Sequence, residues 1–167
     1  MTMDILKQYL PLCRLKNNPL MLPRSVDFFK QNLLFYFIVE YLMQTNMTDD
    51  PIESFTEVSI ETFLTLLFIG VMLFFNRTLY ASVQVTTAII FCANIIALFI
   101  VPVMIWLTIS EEPLSYYLLG LLLFWDYLVV THIIRQVISV NLVAGLVLSL
   151  FYFTVTYFGA FALGQLI

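Results

Sequence analysis

Asp126 sits near the middle of an apolar run, Leu114 to Gln136, that also carries His132 and Arg135 towards its end. Crossing the hydrocarbon core of a bilayer, roughly 30 Å, takes about 20 apolar residues, and this run is long enough. A carboxylate so deep in lipid is costly unless it is paired, hydrogen-bonded or protonated. Glu40 and Asn94 pose the same problem in two other apolar runs. At about 1.5 Å of helix per residue, Asp126 lies roughly 13 Å from the level of Arg135, and Glu40 and Asn94 roughly 20 Å from that same face. Three polar groups on three helices therefore occupy neighbouring layers, and a hydrogen-bonded cluster Glu40–Asn94–Asp126 is expected. Two carboxyls brought together there share a proton more readily than both ionise. Such a cluster serves as polar glue inside a bundle, as a proton or cation relay, or as a face satisfied by a partner protein.

Other chemistry is sparse. His132 is the only histidine, and no second strong nitrogen or thiolate ligand stands near it, so neither haem nor metal is expected. With Arg77 and Arg135 it is expected to meet anionic lipid phosphates or a partner at the cytoplasmic surface. Cys13 falls in a polar stretch and Cys92 in an apolar one, which argues against a disulfide framework. No Gly-rich phosphate loop, His-Glu-x-x-His or nucleophile elbow occurs, so no catalytic residue, no cofactor and no enzyme activity is expected.

The elements that must hold these residues follow from composition. Of 167 residues, 62% are hydrophobic and only 11% charged. Water could not solvate the surface of such a chain; lipid must. The net charge of −4 leaves no basic face for phosphate neutralisation, which excludes nucleic acid as a partner. Five spans are expected at about 26–44, 58–75, 81–107, 114–135 and 142–163. Ser25 is a candidate N-cap for the first. Thr45 to Glu57 reads as a polar loop that includes Asp49 and Asp50, and Glu61 lies near the outer end of the second span. Pro102 predicts a kink in the third. Glu111, Glu112 and Pro113 form the next turn, with Pro113 suited to a first helical position.

Residues 1 to 24 lack the continuous apolar core of a signal peptide. Ile5, Leu6, Tyr9, Leu10 and Cys13 share a helical face, so the leader reads as a basic cytoplasmic arm or a helix lying in the interface. With five crossings, Lys7, Arg14, Lys16, Arg24, Lys30, Arg77 and Arg135 all fall on one side, and the acidic loops on the other. The positive-inside rule then places the N-terminus in the cytoplasm and the C-terminus outside. Compact loops favour the cytoplasmic (inner) membrane of a bacterium. Gly145, Ser149, Thr156, Ala160 and Gly164 offer small residues for close helix contact, read first as packing within the chain and second as a seam for a homo-oligomer.

Trp125-Asp126-Tyr127 through Thr131-His132-Ile133-Ile134-Arg135 gives the fourth span an aromatic-then-basic end. Together with a basic leader and five closely spaced spans, this resembles the Yip family of membrane proteins and its small bacterial relatives. The resemblance implies a five-helix bundle over residues 26 to 165. The Asp-Leu-x-Gly-Pro and Gly-Tyr-rich motifs of the eukaryotic members are absent, so their trafficking role is not carried over. The resulting expectation is an all-α integral membrane protein acting as a scaffold or accessory subunit through helix packing and a basic cytoplasmic side. The alternative is a small transporter or channel using Glu40, Asn94 and Asp126.

Overall fold

A computed structural model describes residues 2–48, 50–110 and 112–166, so the turn positions expected at Asp49 and Glu111 lie outside the described residues. The chain is all α, with no strand among the described residues. A short helix, α1 (Thr2–Tyr9), leads through two 3-10 turns, Leu10–Arg14 and Pro19–Met21, into α2 (Val26–Thr45). Then follow α3 (Pro51–Phe75), a 3-10 turn at Leu79–Ala81, α4 (Ser82–Ser110), α5 (Pro113–Ile138) and α6 (Leu142–Phe153). A π turn, Thr154–Phe158, joins α6 to α7 (Gly159–Gly164).

Capping sets most of these boundaries. The Ser25 hydroxyl accepts from the Phe28 N–H at the start of α2, as expected. Where a polar loop was expected, α3 begins at Pro51. Asp50 accepts from the Ile52 N–H at 2.8 Å, and Pro51 supplies a fixed first-turn φ. An acidic stretch with a strong start signal has thus become the first two turns of a helix. α4 runs on past Pro102 to Ser110. Pro113 opens α5 as expected, and Ser139 closes it in the left-handed region at φ 58°.

Among the described residues, four helical stretches are long and apolar enough to cross a membrane: Pro51–Phe75, Leu79–Ser110, Pro113–Ile138 and Leu142–Gly164. The chain is therefore a polytopic membrane helical protein. α2 is less apolar, because it carries Asp27, Lys30 and Glu40 within 20 residues. It lies beside α4 and parallel to it. Phe28 meets Phe91 with ring centroids 5.9 Å apart, Asn32 meets Asn94, and Leu42, Met43 and Asn46 share a groove with Val101, Met104 and Ile105.

α4 is the centre of the bundle. Every residue from Val85 to Cys92 is buried, as befits a helix apolar on all sides. α2, α3 and α5 cover three of its sides. The N-terminal segment covers the rest: Tyr9 and Leu12 are fully buried in the same core as Phe91 and Cys92. Tyr9 packs against Phe28 and Phe91 at centroid distances of 5.3 and 5.8 Å, and the Trp125 indole donates to the Cys13 carbonyl. The sequence separates a leader from a bundle; in the structure the buried face of that leader belongs to the bundle core.

Candidate functional site

Glu61 is the residue around which the polar interior is built. It faces α2, where the Tyr36 hydroxyl donates to its Oε1 at 2.6 Å. Glu40, one turn further along α2, lies close enough to feel the charges of Glu61 and of Asp126 on α5. The Tyr152 hydroxyl on α6 and the Tyr157 hydroxyl in the π turn lie in the field of all three carboxylates. π turns inside helices often mark functional positions, because the extra residue re-aims a side chain. Here the turn sits at the carboxylate layer.

Asp126 is 9% exposed, and its Oδ1 is buried without a hydrogen-bond partner. The expected trio is thus brought together in part. Glu40 lies within the fields of both Asp126 and Glu61. Asn94 turns elsewhere: its amide donates to the Asn32 carbonyl at 3.0 Å and approaches Asn32 Oδ1 at 3.4 Å, which ties α4 to α2. Asn94 is level with Asn32, eight residues or roughly 12 Å of helix short of Glu40, so neither its depth nor its direction is the expected one.

From Glu61 the acidic residues continue outwards. Glu53, Glu57 and Glu61 recur every four residues and so lie along one face of α3. They line a cavity of 380 Å³ together with Gln44, Tyr157 and Gln165, at the end of the bundle opposite Arg77 and Arg135. Gln44 donates to Glu57, and Gln165 donates to Glu53 at 2.8 Å. Gly164 makes room here, since a Cβ on it would lie 2.7 Å from the Glu57 Cγ and push that side chain aside. On the other side of the carboxylates the interior is closely filled by Leu73, Val85, Ala88, Val129 and Ile133, each 0% exposed.

Sequence reasoning missed Glu61, Tyr36, Tyr152 and Tyr157 as site residues. The signal for Glu61 was present: counted from the turn at Asn76 it lies fifteen residues in, roughly 22 Å, close to the depth counted for Glu40. At the basic end the three expected contact residues separate. Arg77 is exposed, in the left-handed region at φ 57°. His132 Nε2 lies 3.1 Å from the Asn17 carbonyl, so it faces the N-terminal segment. The Arg135 stem packs on α6, and its Nε is buried without a partner. Among the described residues no three His, Cys, Asp or Glu side chains converge as a metal ion would need.

The fold and site define an all-α polytopic membrane protein with a buried carboxylate layer, reached from one face through an acidic cavity. Comparison of the chain with family models, curated proteins and solved structures finds no match, so the resemblance to the Yip family draws no support from them.

Proposed function

We propose that this protein is a small proton-linked or cation-linked transporter of five spans, in which Glu61, Glu40 and Asp126 hold the transported or coupling charge. The observation that carries this reading is the acidic cavity of Glu53, Glu57 and Glu61, which ends on the buried carboxylate layer. Carboxylates in an apolar interior cannot all be ionised at little cost, so a proton or small cation completes the set. The cavity admits it from the acidic face, and the closely filled layer around Val85 and Val129 seals the other side. α2 is the fifth span: lying parallel to α4 over residues 28 to 46, it reaches roughly 30 Å at its full 20 residues. The positive-inside rule then sets the N-terminus and Arg77 in the cytoplasm and the acidic cavity outside, in the cytoplasmic membrane of a bacterium.

The test is purified protein in liposomes carrying an internal pH indicator, with an imposed pH gradient. The wild type should dissipate the gradient at least tenfold faster than empty vesicles, and Asp126→Asn and Glu61→Gln should fall to the empty-vesicle rate while remaining folded. Wild-type vesicles indistinguishable from empty ones, across protons, sodium and potassium, would end the transport reading.

A second reading, a scaffold or accessory subunit, is favoured by one separate feature. Between α3 and α6 a 550 Å³ apolar groove faces lipid, running from Val155 and Leu64 to Asn76 and Ile138, beside exposed Arg77. An anionic lipid or a partner helix would seat there. Purification in mild detergent with identification of co-purifying chains and lipids tests it.

A further inference from the structure

Cys13 and Cys92 are the protein's two cysteines, and they are 79 residues apart in sequence. Nothing in the chain predicts that they meet, yet their Sγ atoms lie 3.2 Å apart in the core. Both are free thiols. Cys92 is 1% exposed and Cys13 is 7% exposed, so the pair is buried with its open edge at Cys13. A disulfide needs its sulfurs at about 2.05 Å, so closing the bond takes a movement of only about 1.2 Å from the observed contact. The neighbouring Cys92 thiol draws the Cys13 thiol below the ordinary range, against burial and the Asp126 charge, which push it up.

We propose that Cys13 and Cys92 form a peroxide-responsive dithiol whose oxidation to a disulfide locks the N-terminal segment onto α4. The chemistry balances with hydrogen peroxide as the oxidant. The Cys13 sulfur attacks one peroxide oxygen; the O–O bond breaks, and the departing hydroxide takes the thiol proton to leave as water. Cys13 is now a sulfenic acid. The Cys92 sulfur then attacks the Cys13 sulfur, the S–S bond forms, the S–O bond breaks and a second water leaves. Two thiols have given up two electrons, and one peroxide has become two waters.

Position gives the bond its consequence. Cys13 is held by the Trp125 indole through its carbonyl, and Asn17, four residues on, meets His132. The segment thereby bridges α4 and α5 on the side of the bundle away from the acidic cavity. Oxidation would fasten that bridge covalently.

The full-length protein in lipid vesicles is treated with hydrogen peroxide, denatured, alkylated with N-ethylmaleimide and digested with trypsin. The expected result is loss of both alkylation sites and one new species joining Gln8–Arg14 to Thr78–Arg135, the tryptic peptides that contain the two cysteines. Dithiothreitol should restore both separate peptides. In Cys92→Ser the Cys13 sulfenic acid should persist and be trapped by dimedone. Two thiols that remain fully alkylated in the wild type, or disulfides found only between two copies of the chain, overturn the proposal.

Discussion

Tyr36 and Glu61 show what a single hydroxyl does in a membrane interior. At the inner end of the acidic cavity, the 2.6 Å hydrogen bond from Tyr36 satisfies one oxygen of the Glu61 carboxyl. Tyr36→Phe should lower stability by about 1–3 kcal/mol, read from thermal unfolding in detergent, because the buried oxygen loses its donor. Tyr9 makes a different case, in the N-terminal segment. Its hydroxyl donates to the Pro23 carbonyl, and burial pushes its pKa from 10.0 up to about 12. A group whose folded pKa is raised contributes stability that is fully present below its unfolded pKa and is lost as pH rises through the folded one. The docked segment should therefore weaken between pH 10 and about 12. In a Trp106→Phe background, where Trp125 is the remaining tryptophan, its emission should shift to the red across that window. Adding Tyr9→Phe should remove the transition; an unchanged one would assign it to other groups.

At the scale of elements, the sequence reveals how far along its own helix a residue lies more readily than the direction in which it points. The α3 count from Asn76 puts Glu61 at the level of Glu40, because rise per residue is nearly constant. The α4 count misplaces Asn94: α4 starts lower than α2, its Gln84 already reaching the Leu22 carbonyl, so Asn94 comes level with Asn32. Rotation about the axis depends on which neighbours pack, and the contact of α2 with α4 that captures Asn94 is a tertiary fact. The Cys13–Cys92 contact was illegible for the same reason, since it depends on a polar-looking segment entering the core. The π turn leaves no compositional trace in Thr154–Phe158 at all. The small residues were more readable. Gly145 admits α5, as a Cβ on it would lie 2.3 Å from the Arg135 Cγ and 2.8 Å from its Cδ. Gly145→Ala should cost about 1–3 kcal/mol through overpacking. Pairing it with Arg135→Ala should recover most of that loss, since two residues in direct contact are not additive.

For the whole molecule, the number of crossings decides everything else, and α2 is where that number is decided. If α2 did not cross, Met47 and the acidic cavity would lie on the same side as Lys16, with Arg77 and Arg135 on the other. Two facts argue against this. α2 runs parallel to α4, so a membrane that contains α4 must also contain its neighbour. The polar residues of α2 are also disposed for crossing: Lys30 is exposed near one end, where it can reach headgroups, while Glu40 faces the interior carboxylates. In a Cys13→Ser, Cys92→Ser background, single cysteines placed at Met47 and at Gln165 should both react with a membrane-impermeant maleimide from outside intact cells. A cysteine at Lys16 should react only after the membrane is opened. Met47 labelled together with Lys16 instead would leave four crossings, turn the cavity of Glu53, Glu57 and Glu61 towards the cytoplasm, and reverse the direction from which any proton reaches Asp126.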